Sequence, residues 1–96
     1  MTPIKLSNRE LAEIFDTIAN LLEIKGEVIY KVLAYRRAAE SLENLGREAA
    51  EYWREGELTE IPGVGKAIAE KIDELLTTGK LEFFEELTAQ VPASLK

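Results

Sequence analysis

Histidine and cysteine are both missing from these 96 residues, and each absence removes a class of chemistry. Without histidine the chain has no Ser-His-Asp triad, no imidazole base and no imidazole metal ligand. Without cysteine it has no disulfide framework, thiolate nucleophile or thiolate zinc site, and cysteine usage says nothing of a redox compartment. Long apolar runs are missing too, so no segment reads as a membrane span, and the start Met1-Thr2-Pro3-Ile4-Lys5 has no signal-peptide core. The expectation is a soluble, intracellular protein. Positive charge is in short supply: 18 acidic against 12 basic side chains leave a net charge of −6. That balance excludes a protein that coats nucleic acid through a broad basic face, but not one that holds a few backbone phosphates. Carboxylates, lysines, tyrosines, hydroxyls and the backbone are what remain for chemistry. With 46% hydrophobic residues, the length suits one domain burying about 60 to 65% of its unfolded surface, too little for a multidomain enzyme with a deep cavity.

Glycine and proline divide the chain into short pieces whose apolar residues recur at intervals of three and four, the period of a helix and not of a strand. The expected fold class is all-α: one domain over residues 1–96, a compact bundle of about five short helices. Ser7-Asn8-Arg9-Glu10 fits a capping box ahead of a stripe of Leu11, Ile14, Phe15, Ile18 and Leu22, with a stop near Gly26. A second helix reads from about Val28 to Leu45, with Val28, Val32, Tyr35, Ala39 and Leu42 on one side and Gly46 as its stop. A short third covers about Arg47 to Arg54 and ends at Gly56. Beyond Leu58-Thr59-Glu60-Ile61-Pro62-Gly63-Val64-Gly65, a fourth runs from about Lys66 to Thr77 with Ile68, Ile72, Leu75 and Leu76 inward, and Gly79 breaks it. A fifth follows from about Leu81 to Ala89, ahead of Pro92. Charge is uneven along the chain: residues 29–46 carry +1 and residues 47–65 carry −3.

Pro62-Gly63-Val64-Gly65 stands at the start of the best-patterned helix, where glycines allow positive φ and close approach by a ligand. The first turn of a helix leaves its N–H groups unpaired, so the amides of Gly63, Gly65 and Lys66 would point beyond the hairpin. Free donors, the positive end of the helix dipole and a nearby lysine suit a phosphate. A tight turn between packed helices, its glycines answering only to geometry, is the other reading, and glycine spacing leaves both open. Two other phosphate loops are excluded. A Walker loop needs glycine and Ser or Thr where Glu60 and Ala67 stand, and a dinucleotide fingerprint needs a third glycine where Ile68 stands.

The string from Leu58 to Ile72 is more specific than its glycines: it resembles the helix-hairpin-helix motif of sequence-independent DNA-binding proteins, placed here at residues 58–77. The resemblance implies DNA contacts at Gly63, Val64, Gly65 and Lys66, with the amides of Gly63, Gly65 and Lys66 on the phosphates. It also implies a monovalent cation, K+ or Na+, on the backbone carbonyls of Thr59, Ile61 and Val64, and no other cofactor. Such contacts carry no base information. Lys31-Val32-Leu33-Ala34-Tyr35-Arg36-Arg37-Ala38-Ala39, together with Thr78-Gly79-Lys80-Leu81, extends the likeness to the amino-terminal domain of family X DNA polymerases, beta-like and of bacterial or archaeal type. That resemblance implies a sequence-independent DNA-binding domain gripping the 5′-phosphate side of gapped or nicked DNA in base excision or gap repair. Lys31 would contact phosphate and Tyr35 would pack beside the sugar, although Tyr35 also continues a core stripe. Its implied partners are the polymerase domain and a phosphoesterase domain of a longer chain, with the end at Val91-Pro92-Ala93-Ser94-Leu95-Lys96 falling before the family's second hairpin motif. The implied location is the cytoplasm, in the nucleoid of a bacterium or archaeon.

Lys71 falls on the position where some members of that family form a Schiff base with a 5′-deoxyribose phosphate. The reaction needs a neutral amine, and with an ordinary pKa near 10.4 only about one lysine in a few thousand is neutral at pH 7. Burial or a neighbouring cation would have to lower it. Ala67 stands where the animal polymerases have a helper lysine, Phe83 replaces another basic residue, Tyr30 replaces a histidine, and Glu70 and Glu74 flank Lys71. A solvated lysine paired with Glu74, or one contacting a phosphate, is the competing reading. Arg36 and Arg37 read as solvated, and Trp53 as a core or groove residue. Glu48, Glu51, Glu55, Glu57 and Glu60 fall around several helix faces and read as a solvated acidic surface and not as a metal cluster. A non-catalytic helical module that binds another protein is the alternative function, because small bundles of this kind can present the same apolar grooves.

Overall fold

In a computed structural model of the chain, residues 6–91 are described. The expectations placed on Met1–Lys5 and on Pro92–Lys96 lie outside them. The described residues form five α-helices and one 3-10 turn: α1 (Asn8–Lys25), α2 (Ile29–Glu43), α3 (Ala49–Arg54), the turn Leu58–Glu60, α4 (Lys66–Thr78) and α5 (Glu82–Gln90).

α1 begins where the sequence placed it. The Ser7 hydroxyl accepts the Glu10 N–H at 3.1 Å, and the Glu10 carboxylate accepts the Ser7 N–H at 2.9 Å, so two otherwise orphaned donors are satisfied reciprocally. Gly26, at φ +83°, ends the helix in the left-handed conformation and turns the chain into α2. Helices α1 and α2 pack along most of their length, burying Leu11, Phe15, Ile18 and Leu22 against Val32, Ala39 and Leu42. Ala12, Ala19 and Leu21 widen the buried face of α1 beyond the expected stripe. Val28 does not join the core and is 48% exposed. It occupies the N-cap of α2 with extended dihedrals, outside the helix, so the helical period does not apply to it.

The expected inward face of α4 is buried in full at Ile68, Ile72, Leu75 and Leu76. Gly79, at φ +79°, stops the helix. Glu74 then reaches forward, its carboxylate accepting the Glu82 N–H at 2.9 Å at the start of α5. Two polar links that sequence periodicity does not reveal hold the ends of elements together. Asn8 accepts the Ala49 N–H at 2.7 Å and donates to the Arg47 carbonyl at 2.8 Å, tying α1 to α3. The Trp53 indole donates to Asp73 at 2.6 Å, tying α3 to α4.

Arg36 is not a solvated arginine. Its guanidinium donates to Glu23 at 2.8 Å and to Asn20 at 2.9 Å, and lies 3.4 Å from Asp16. Asp16, Asn20 and Glu23 follow the helical repeat along one face of α1, and the packing of α2 on α1 brings Arg36 opposite them.

Candidate nucleic-acid interface

Two apolar anchors hold the corner before α4. Ile61 and Val64 are 1% and 4% exposed, while Pro62 and Gly63 between them are exposed. The Val64 N–H donates to the Ile61 carbonyl at 3.0 Å, closing a tight turn. Gly63 sits at φ +78°, and a Cβ there would lie 3.0 Å from the Cγ of Arg37 and 3.4 Å from the Ser41 hydroxyl oxygen. The positive φ favours glycine at this position, and a Cβ would in addition push the Arg37 stem aside by a few tenths of an ångström. Gly65 differs: its φ of −88° is ordinary, and a Cβ there would meet nothing within 4 Å. The folded chain makes no steric demand for glycine at 65.

Among the described residues the amides of Gly63, Gly65 and Lys66 have no acceptor, and no side chain caps α4. The Val64 amide, by contrast, is used by the Ile61 carbonyl. Thr59 and Val64 have carbonyls without a protein donor among the described residues, and Ile61 keeps one lone pair beside its bond to Val64. Three neutral, hard oxygens on one corner fit a monovalent cation in donor type.

A cleft of 610 Å³ opens beside this corner. Gly63, Gly65 and Lys66 form one wall, Tyr30, Lys31 and Tyr35 of α2 another, and Phe83 and Leu87 of α5 the third. Its rim carries the ammonium groups of Lys25, Lys31 and Lys66 against the carboxylates of Glu27 and Glu86, a local excess of positive charge on an acidic protein. Lys31 makes a loose, exposed pair with Glu27 at 3.8 Å, which leaves it available to an anion. Tyr35 is stacked between Phe15 and Phe83, with ring centroids 6.1 and 6.0 Å away, and burial pushes its phenol pKa up. Tyr35 thus continues the core stripe, and its ring also lines the cleft.

Lys71 is placed differently from the other candidates. Its amine sits 4.8 Å from the centroid of Phe83, and although Phe83 lines the cleft, Lys71 does not. Its expected pairing with Glu74 is not formed, because that carboxylate faces the start of α5. Among the acidic residues of α3 and its C-terminal end, Arg47 holds both Glu51, at 3.5 Å, and Glu55, at 3.0 Å. Glu55 is lowered by Arg47, and Glu57 is raised by the hydrogen bond to Glu55. The neighbour of the hairpin that sequence reasoning missed is Arg37, whose aliphatic stem packs against Gly63. Its spacing three residues beyond cleft-lining Ala34 is the signal that would have found it.

A sequence model of the helix-hairpin-helix domain matches residues 6–81. The chain is 31% identical over 90 residues to the DNA polymerase/3′-5′ exonuclease PolX of Bacillus subtilis (strain 168), covering 94% of this chain and 15% of that protein. To DNA polymerase lambda of Rattus norvegicus it is 28% identical over 85 residues, covering 88% of this chain and 14% of that protein. The chain thus spans about a seventh of the length of these curated relatives.

Proposed function

This chain belongs to the helix-hairpin-helix domain family, and from that premise we propose that it is the DNA-binding domain of a family X polymerase, holding the 5′-phosphate side of a gap or nick. One observation carries the reading: the corner offers unused donors at Gly63, Gly65 and Lys66, beside a glycine at 65 that the fold itself does not need. Space left open above that glycine lets an anionic strand reach the amides, where the dipole of α4 and Lys66 favour negative charge. Lys31 would contact a phosphate from α2, and the buried ring of Tyr35 would meet the sugar edge. Contacts of this kind read strand shape and ends, not base sequence.

Thr59, Ile61 and Val64 would hold the monovalent cation through their carbonyls. When bound there, such an ion adds a positive charge between the hairpin and the phosphate. Potassium or sodium exchanged at constant ionic strength for a bulky tetraalkylammonium should then weaken DNA binding, read by fluorescence anisotropy.

The experiment that tests the whole reading is a titration with gapped DNA carrying or lacking the 5′-phosphate, at two salt concentrations. Tighter, salt-sensitive binding of the phosphorylated DNA is expected. Equal, salt-independent binding would remove the phosphate site and leave the protein-interaction module, for which Ile24, Val28, Ile29 and Leu33, exposed at 43 to 62%, are the available surface. Lyase chemistry at Lys71 is the finer part of the proposal. It requires the amine to leave the Phe83 ring, enter the cleft and attack the sugar aldehyde as a neutral base. Borohydride trapping on an incised abasic substrate should give an adduct that Lys71→Ala loses; no adduct, or an equal one, assigns Lys71 to packing against Phe83.

A further inference from the structure

Gly63 is pressed against α2 as well as opening onto the cleft. A Cβ on it would meet the Cγ of Arg37 at 3.0 Å, the Cδ at 3.4 Å and the Ser41 hydroxyl oxygen at 3.4 Å. The stem of Arg37 therefore packs against the hairpin at Gly63, and the residue is otherwise exposed. Unlike Arg36, which is saturated by Asp16, Asn20 and Glu23, Arg37 has no ion pair and no side-chain hydrogen bond among the described residues. The Ser41 hydroxyl has no partner among them either. Along α2, Ala34, Arg37 and Ser41 follow at intervals of three and four that keep them on one face, with Lys31 one step of three before Ala34 on the side toward the cleft. Lys31 and Ala34 line the cleft with Gly63, and Arg37 and Ser41 continue the stripe past it.

We propose that Arg37, with Ser41 beside it, binds the phosphate next to the one held by the hairpin amides, so that the strand runs along α2. The inference rests on the hairpin's role proposed above and adds a second contact point and a direction to it. Lys31 and Arg37 are six residues apart, about 9 Å along a helix. They also lie about 120° apart around the helix, so the two cations are placed to serve different phosphates. A guanidinium is suited to the task because it can offer two parallel donors to one phosphate while its stem stays packed on glycine.

Arg37→Met keeps the stem and removes the charge. Fluorescence anisotropy with 5′-phosphorylated gapped DNA should show affinity falling about fivefold at low salt, with the slope of log K against log salt shallower by about one. The thermal midpoint should stay that of the wild type. A set of duplexes with single methylphosphonates beside the gap identifies the partner: one position should weaken the wild type and leave Arg37→Met unaffected. Unchanged affinity, a loss with unchanged slope, or equal sensitivity of both proteins at every methylphosphonate would overturn the assignment. Gly65→Ser, which blocks the amides, keeps the two proposals apart. If it abolishes binding and Arg37→Met does not, only the role of Arg37 fails. If neither variant affects binding, the hairpin reading itself fails.

Discussion

An alanine at position 63 would have to hold φ at +78° and press its methyl to 3.0 Å from the Arg37 stem. Left-handed backbone costs a non-glycine residue about 1–2 kcal/mol, and Gly63→Ala should lower the stability measured by urea unfolding by at least that amount. Gly65 is under no such strain, and its substitution should separate stability from binding. A serine there would act as N-cap for α4, its hydroxyl accepting an N–H of the first turn and adding a few tenths of a kcal/mol of stability. The same hydroxyl would occupy the donors and the open space a phosphate needs. Gly65→Ser is therefore expected to unfold at slightly higher urea and to bind gapped DNA more weakly. A variant that binds as well as the wild type would return the glycine to the status of a plain turn residue.

At the scale of the element, neighbouring arginines on α2 do different work. Arg36 clamps α2 to α1 through Glu23, Asn20 and Asp16. Exposed ion pairs are each worth little, so Arg36→Met should cost only about 1 kcal/mol, read as a lower unfolding midpoint, and should leave DNA affinity unchanged because the guanidinium faces α1. The capping box of α1 carries a pH signature. Glu10 is held below its ordinary value of 4.5, first by the Ser7 N–H and then by the Ser7 hydroxyl. A carboxyl whose folded pKa is lowered binds fewer protons folded than unfolded, so its stabilisation is complete above the unfolded value and fades as pH falls through the folded one. The stability advantage of the wild type over Glu10→Gln should accordingly be steady near neutral pH and shrink below about pH 4.5 in acid unfolding curves.

For the whole molecule the question is how a protein of net charge −6 could hold DNA. Local arrangement overrides the total within a Debye length of about 8–10 Å, and the rim of the cleft gathers three ammonium groups against two carboxylates. The acidic residues in and just after α3 are partly neutralised by Arg47 and lie on other elements than the cleft walls. With two to four phosphate contacts the salt slope for gapped DNA should lie between about −2 and −4, well short of that of a protein with a broad basic face. A slope near zero would show that phosphates are not what it holds.

Helix starts and stops were written locally, in Ser7 and Glu10, in Gly26 and Gly79, and in the spacing of Ile68, Ile72, Leu75 and Leu76, because caps and apolar periods act over a turn or two of chain. The hairpin was legible for the same reason: its glycines, flanking apolar anchors and following helix are contiguous. Tertiary packing alone decided which of two arginines became a clamp and which a free cation under Gly63. It also moved Lys71 onto Phe83 and stacked Tyr35 between rings from α1 and α5. Those outcomes depend on where distant segments come to lie against one another, and no period or cap in a single stretch of chain carries that distance.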